Sequence, residues 1–298
     1  MPARFPSITL NNGVQMPALG LGVYQASAEE TSTAVNTALE VGYRLIDTAA
    51  AYGNEHQVGE AVLASGVPRA DIFVTTKLWI SDYGFDATLH AFDRSTRKLG
   101  LDYVDLYLLH WPVPSAFDKT VASYKAAERL LGERRVRAIG VCNFTPKHLQ
   151  QLVAATDVVP AVNQVELHPL FAQKPVASED ARLGVVTQAW SPLGGVQRYF
   201  KQGANSPADP LVQPVVTMLS ERHRKTPAQI ILRWHIQHGL SAIPKSVRPA
   251  RIAENFDVFD FELSAEDLAA IDALDTGMRG GPDPDQVSTE MFTFRIED

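Results

Sequence analysis

The sequence predicts a single α/β domain of the (β/α)8, or TIM-barrel, type spanning residues 1–298. Three observations carry that expectation. Eight short apolar runs, near 19–23, 44–48, 72–78, 104–110, 136–142, 161–166, 184–190 and 241–245, alternate with segments of helical period. No Pro/Gly/Ser-rich linker interrupts them, and 298 residues fit one barrel with insertions. Alternating β and α elements imply parallel strands joined by helical crossovers, and eight of them suit a closed barrel better than an open sheet.

Ahead of the first unit, Ile8 to Pro17 reads as two short strands around the Asn12-Gly13 turn, a strong hairpin signal, placed as a lid at one end of the barrel. After the seventh strand, the stretch 194–214 is rich in glycine and proline and reads as a long loop, of the kind that serves active sites. Thr226-Pro227 pairs a good N-cap with proline at the first helical position, opening a helix through His238 that ends before Gly239. Ser264-Ala-Glu-Asp caps a further helix, and the Gly/Pro-rich tail to Asp298 is expected to cross the barrel.

Apolar residues make up 45% of the chain and charged residues 20%, the balance of a protein able to bury a sizeable core. The net charge of −7 is dispersed, and Arg134, Arg135 and Arg137 are too few for a nucleic-acid stripe, so nucleic acid and anionic membrane are not expected partners. The single cysteine, Cys142, rules out an internal disulfide. No run approaches a membrane span and the N-terminus lacks a signal-like apolar core, which points to the cytoplasm.

In a parallel barrel every strand delivers its C-terminal end to one face, so residues distant in sequence meet there. The second strand ends Leu45-Ile-Asp47, with Tyr52 in the loop that follows; the third ends at Lys77 and the fourth at His110. Those four side chains suit carbonyl reduction. Hydride attack leaves an alkoxide that needs a proton, and Tyr52 can give it if Lys77 lowers its pKa from the usual value of about 10. Asp47 would keep Lys77 charged, and His110 could donate a hydrogen bond to the substrate oxygen. Singly, each residue also admits a structural role: a buried ion pair, a loop aromatic, a satisfied strand-end histidine.

Leu45-Ile-Asp-Thr-Ala-Ala-Ala-Tyr-Gly-Asn-Glu, Thr76-Lys-Leu-Trp, Leu108-Leu-His-Trp-Pro, Gly140-Val-Cys-Asn-Phe, Asn163-Gln-Val-Glu-Leu-His-Pro and Ile243-Pro-Lys-Ser-Val together resemble the aldo-keto reductase family, in its order and over nearly the whole chain. Gly281-Pro-Asp-Pro-Asp285 and the short tail resemble its bacterial 2,5-diketo-gluconate reductase and methylglyoxal reductase branch. The resemblance implies that Asp47, Tyr52, Lys77 and His110 form a catalytic tetrad and that NADPH lies across the barrel mouth. It implies further that Asn143 and Gln164 meet the nicotinamide carboxamide, that Trp190 stacks on the ring, and that Ser191 and Leu193 lie beside the cofactor. Cys142 stands where the family commonly has a serine that touches the carboxamide, and a thiol makes the weaker hydrogen bond. Lys245, Ser246, Val247, Arg248 and Arg251 are assigned to the adenosine 2′-phosphate, with Glu254 and Asn255 near the adenine; cations and a hydroxyl at a helix N-terminus suit a phosphate.

Tyr24, Trp79 and Trp111 would line an apolar mouth for aldehydes, α-dicarbonyls or keto-sugars. Two other motifs are set aside: Gly20-Leu-Gly lacks the last glycine of a dinucleotide fingerprint, and the stretch 239–246 has a proline where a P-loop needs a backbone donor. His235 and His238 read as packing residues with no carboxylate partner, and no metal is expected. The leading expectation is a monomeric NADPH-dependent carbonyl reductase acting on a small molecule. Two alternatives are a Schiff-base aldolase using Lys77 and a non-catalytic NADPH-binding sensor.

Overall fold

The computed structural model describes residues 6–195 and 209–296, so most of the long loop expected over 194–214 lies outside the described residues. Strands β1 (Ser7–Thr9) and β2 (Gln15–Pro17) pair antiparallel. Eight further strands form one sheet in chain order: β3 (Leu21–Gly22), β4 (Leu45–Asp47), β5 (Phe73–Leu78), β6 (Val104–Leu109), β7 (Val136–Cys142), β8 (Val162–Glu166), β9 (Val186–Trp190) and β10 (Ser241–Ala242). Every neighbouring pair in it is parallel.

The two edges of this sheet meet. The Gly20 N–H donates to the Ala242 carbonyl at 2.9 Å, the Ala242 N–H to Ala18 at 2.9 Å, and the Gly22 N–H to Pro244 at 3.1 Å. The last strand is shorter than the expected 241–245 because Pro244 has no N–H to donate, leaving only a bridge from Gly22 to Lys245 beyond Ala242. Sealing the edges in this way satisfies backbone groups that an open sheet would leave unpaired.

Helices follow the strands: α1 (Ala28–Val41), α2 (Glu55–Ala64), α3 (Phe85–Leu99), α4 (Phe117–Gly132), α5 (Pro146–Val153), α6 (Lys174–Leu183), α7 (Pro214–His223), α8 (Pro227–Gln237), α9 (Pro249–Phe256) and α10 (Ala265–Asp272). Their ends carry the expected chemistry. Ser27, Thr226 and Ser264 close capping boxes with Glu30, Gln229 and Asp267, satisfying N–H groups that a helix start leaves free. Gly42, Gly100 and Gly184 stop α1, α3 and α6 in the left-handed region, where a Cβ would be penalised. No helix among the described residues is long and apolar enough to cross a membrane.

The period-two alternation of the strands sorts the core into two layers. Ile46, Val74, Tyr107, Ile139 and Val141 face the helices in one cluster. Leu45, Phe73, Leu106, Leu108, Ala138, Cys142 and Val162 form a second cluster inside the ring of strands, joined by Leu10 and Met16 of the hairpin. Asn11 and Asn12 donate to the carbonyls of Pro160 and Arg137, at the N-terminal ends of β8 and β7, so the hairpin sits at that end of the sheet. Gly140 shows how closely the strands approach: a Cβ there would lie 2.4 Å from the Val162 carbonyl oxygen.

Asp180 of α6 ties the helical layer to the strand ends. Its carboxylate accepts from Asn163 Nδ2 at 3.1 Å and Thr187 Oγ1 at 2.7 Å, and Asn163 in turn clasps Phe144, next to Asn143. Burial pushes the Asp180 carboxyl up to about 7. The folded form therefore holds a proton that the unfolded chain releases near pH 4, so this group's contribution is full below about pH 4 and is lost as pH rises to 7. Melting temperature measured between pH 4 and 7 should accordingly fall less steeply in Asp180→Asn than in the wild type, and an unchanged slope would remove Asp180 as its source.

His235 and His238 were expected to lack a carboxylate partner. His235 is buried, with its ring nitrogens on the Ile231 and Leu167 carbonyls at 2.8 and 3.2 Å, as a packing residue should be. His238 departs from the expectation: α10 brings Asp272 within 3.0 Å of its Nε2, a long-range contact with no local signature.

Candidate active site

The alternation that builds the inner core also selects the inner side chains at the C-terminal strand ends. Counting by twos from Leu45, Phe73, Leu106 and Val162 reaches Asp47, Lys77, His110 and Gln164, and the structure brings all four to one place. The Lys77 ammonium donates to Asp47 Oδ1 at 2.5 Å, to the Thr48 carbonyl at 2.8 Å and to the Tyr52 hydroxyl oxygen at 3.3 Å. An ammonium has three N–H donors, and three acceptors surround this one. Tyr52 reaches it from a short 3-10 turn, Ala50–Tyr52, that Gly53 ends at φ 68°.

Charge states follow from burial set against pairing. Burial opposes the Lys77 charge, but the Asp47 carboxylate outweighs it and holds the ammonium above the ordinary lysine value. Burial pushes the Asp47 carboxyl up, against the pull of Lys77 and of Gln164, whose amide donates to Asp47 Oδ2 at 2.8 Å. Burial also raises the Tyr52 hydroxyl above the usual tyrosine value, with Lys77 offsetting only part of the rise. This corrects the expectation that Lys77 brings Tyr52 towards neutrality: desolvation of a phenolate exceeds the attraction of one ammonium already paired with Asp47. Burial and the nearby Lys77 charge drive His110 well below 6.5, leaving a neutral imidazole whose Nδ1 has no hydrogen-bond partner among the described residues.

Above this cluster opens a cavity of about 680 Å³. Asp47, Tyr52, His110, Cys142, Asn143, Gln164, Trp190, Ser191 and Leu193 line one part of it, and Lys245, Ser246, Arg251, Glu254 and Asn255 another. Two residues expected beside the cofactor, Arg248 and Val247, are not among the residues that line the cavity. Arg248 is the exposed N-cap of α9, which begins at Pro249, and Val247 packs on the core. Lys77 lies behind Asp47 and Tyr52, fully buried.

Asn143 and Ser191 adopt left-handed backbone at φ 63° and 50°, conformations that cost energy outside glycine and that gather at ligand sites. Asn143 donates to the His110 carbonyl at 3.1 Å and accepts from Trp190 Nε1 at 2.8 Å. Gln164 donates to Asp47 and, at 2.7 Å, to Gln188. Toward a carboxamide these two residues would thus present amides already oriented by the fold. Cys142 is buried, and burial raises its thiol, which makes it a poor nucleophile.

Tyr24, Trp79 and Trp111 also line the cavity, the Tyr24 ring 5.0 Å from Tyr52 and the Trp79 ring 5.2 Å from His110. Sequence reasoning missed Phe292 and Phe294: Phe294 stacks on Trp79 at 4.6 Å, and Phe292 lies 5.4 Å from Trp79 and 6.2 Å from Trp111. It also missed Gln25, Leu211 and Thr226; Thr226 donates to Glu254 at 2.9 Å and fixes that carboxylate at the cavity wall. The signal for Thr226 was its N-cap position, read only for the helix it starts.

A family model described as the aldo/keto reductase family matches residues 17–276. Morphine 6-dehydrogenase of Pseudomonas putida is 57% identical over 293 residues, 98% of this chain and 99% of its own. Methylglyoxal reductase DkgA of Escherichia coli K12 is 50% identical over 279 residues, 94% of this chain and 97% of its own. Among solved structures, a Bombyx mori aldo-keto reductase in complex with NADP superposes with a TM-score of 0.87 at 36% identity, covering 94% of this chain and 96% of that one.

Proposed function

The chain belongs to the aldo/keto reductase family and is an NADP(H)-using oxidoreductase, and from that premise we propose that it reduces aldehydes and ketones to alcohols with Tyr52 as proton donor. The observation that carries this reading is the buried Lys77 ammonium, 2.5 Å from Asp47 and 3.3 Å from the Tyr52 hydroxyl, beneath a cavity that extends to Lys245 and Arg251.

The residues fit the cofactor. Lys245, Arg251 and the Ser246 hydroxyl suit a phosphate at the start of α9, while Asn143, Gln164 and Trp190 suit a flat amide-bearing ring. When bound, the reduced nicotinamide supplies a hydride. The protein supplies the rest. Tyr52, kept a phenol by burial, holds the proton that the carbonyl oxygen takes up as its carbon is reduced. An alkoxide is more basic than a phenolate, so even a raised phenol can give that proton. Lys77 then stabilises the phenolate left behind, and Asp47 and the Thr48 carbonyl keep its ammonium in place. His110, neutral, can offer a ring N–H to the substrate oxygen without competing as an acid.

The same geometry argues against a Schiff-base reaction, which needs a neutral amine: Lys77 is charged, buried and surrounded by three acceptors. The aromatic mouth supports aldehydes, α-dicarbonyls and larger ring ketones as substrates. The named substrates of the two relatives, methylglyoxal and morphine, differ greatly in size.

The test is NADPH consumption with methylglyoxal, a nitrobenzaldehyde and a diketo-sugar acid. Turnover is expected; tight NADPH binding without turnover would shift the reading to a sensor, and no NADPH binding would overturn it. The phosphate end gives a separate prediction. Lys245→Ala/Arg251→Ala should weaken NADPH binding by roughly 10- to 100-fold, the effect of losing hydrogen bonds to a charged group. NADH binding should change little. Titration of tryptophan fluorescence reads both, and equal losses would remove the 2′-phosphate assignment.

A further inference from the structure

Glu166, at the C-terminal end of β8, takes no part in the chemistry above, yet it is fully buried. Its two oxygens accept from consecutive backbone N–H groups of the C-terminal tail, Gly280 at 2.7 Å and Gly281 at 2.8 Å, while His168 Nε2 lies 3.2 Å from Oε1. Nothing on the strand itself calls for an inward carboxylate here. What it does is hold a segment more than a hundred residues away in sequence.

From that clamp the tail runs across the site. Pro282 borders the cavity, Asp285 lies 3.1 Å from His148, Val287 is buried, and Phe292 and Phe294 close against Trp79. Before the clamp, the Thr276 N–H donates to the Leu170 carbonyl at 3.0 Å, and the Arg279 guanidinium lies 4.9 Å over the Phe171 ring. The tail is therefore tied down upstream of the residues that wall the substrate end, and Glu166 is the buried side chain in that tie. Two carboxylate oxygens match two N–H donors; an amide would turn an –NH2 towards one of them and leave a buried donor unmatched.

We propose that Glu166 is a positioning residue for substrate selection: through Gly280 and Gly281 it fixes the tail, and the tail holds Phe292 and Phe294 as the wall that grips aromatic carbonyl substrates. The proposal rests on the reading of the cavity as a carbonyl-reductase site. It makes Glu166 silent toward a substrate too small to reach the wall.

The experiment compares full-length wild type, Glu166→Gln, Phe292→Ala/Phe294→Ala and the three changes combined. Hydrogen exchange of amides 280–294 is measured alongside steady-state reduction of 4-nitrobenzaldehyde and methylglyoxal, and NADPH affinity. In Glu166→Gln the tail amides should exchange faster, and KM for nitrobenzaldehyde should rise by about tenfold, the loss of one buried hydrogen bond. The kcat, the methylglyoxal KM and NADPH affinity should stay within about twofold of wild type by the same reasoning. In the background without the two phenylalanines, Glu166→Gln should add nothing to the nitrobenzaldehyde KM. Unchanged tail exchange, equal losses on both aldehydes, a fall in kcat, or additive effects in the combined variant would each overturn the proposal. Should Glu166→Gln fail to fold, Glu166→Asp keeps the charge and must show a smaller shift of the same kind, and a wild-type profile in both exchange and KM would overturn it. If wild type reduces neither aldehyde, the carbonyl-reductase reading fails, while tail exchange still reports on the clamp.

Discussion

Replacing Tyr52 by phenylalanine is expected to lower kcat/KM for carbonyl reduction by roughly 10²- to 10⁴-fold, the range for removing a positioned general acid, with NADPH affinity nearly unchanged. The substitution deletes one oxygen and leaves the ring beside Tyr24 and His110. Lys77 keeps its contacts to Asp47 and Thr48, so the floor of the site should persist. Because burial holds Tyr52 in its protonated form well beyond the ordinary tyrosine range, its activity is present at lower pH and lost only as pH passes that raised value. The wild-type reduction rate should therefore show no inflection from Tyr52 between about pH 6 and 9, below the usual tyrosine value of about 10. Nor should His110 contribute one, since its imidazole is already neutral there. An inflection near pH 7 that vanishes in Tyr52→Phe would mean that cofactor or substrate reverses the effect of burial. Retention of activity within tenfold would dismiss Tyr52 as the donor, leaving a ring N–H of His110 as the group to test.

The strand ends explain why so much of this site can be read without coordinates. Asp47, Lys77 and His110 each continue the inward parity of their strands to the C-terminal end, where a charged or imidazole side chain stands out, whereas Gln164 has the same parity within β8 and was legible through the family motif. Glu166 obeys the same parity, two residues beyond Gln164, but its partners lie on a tail without periodicity, and its role stays hidden until the chain is folded. Phe292 and Phe294 are hidden for that reason too: their position depends on anchors such as the Glu166 clamp and the contact between His148 and Asp285. Arg248 and Val247 flank the cavity wall without lining it. Pro249 starts α9 and leaves Arg248 as its exposed N-cap, a position that sequence alone does not relate to a cavity wall. The protonation of Tyr52 is not legible in the sequence, which gives neighbours but not depth, and depth decides the balance between desolvation and attraction.

Lys77→Met should damage both stability and catalysis, and a second change should separate the two. Removing the ammonium leaves the Asp47 carboxyl buried beside the Thr48 carbonyl and the Tyr52 oxygen with its opposite charge gone. Breaking one side of a buried ion pair costs about 3–5 kcal/mol, which for a chain of this size lowers the melting temperature by roughly 5–8 °C. Part of that loss will be moderated by protonation of Asp47, whose carboxyl burial already pushes upward. Adding Asp47→Asn removes the stranded charge, so the double variant should melt closer to wild type than Lys77→Met alone. Turnover should not return, because the phenolate formed when Tyr52 gives up its proton still lacks a cation 3.3 Å away. Thermal melts and NADPH consumption on the same preparations decide between the outcomes. Recovery of both stability and activity would make the pair a scaffold only, whereas recovery of stability alone would assign Lys77 to the phenolate.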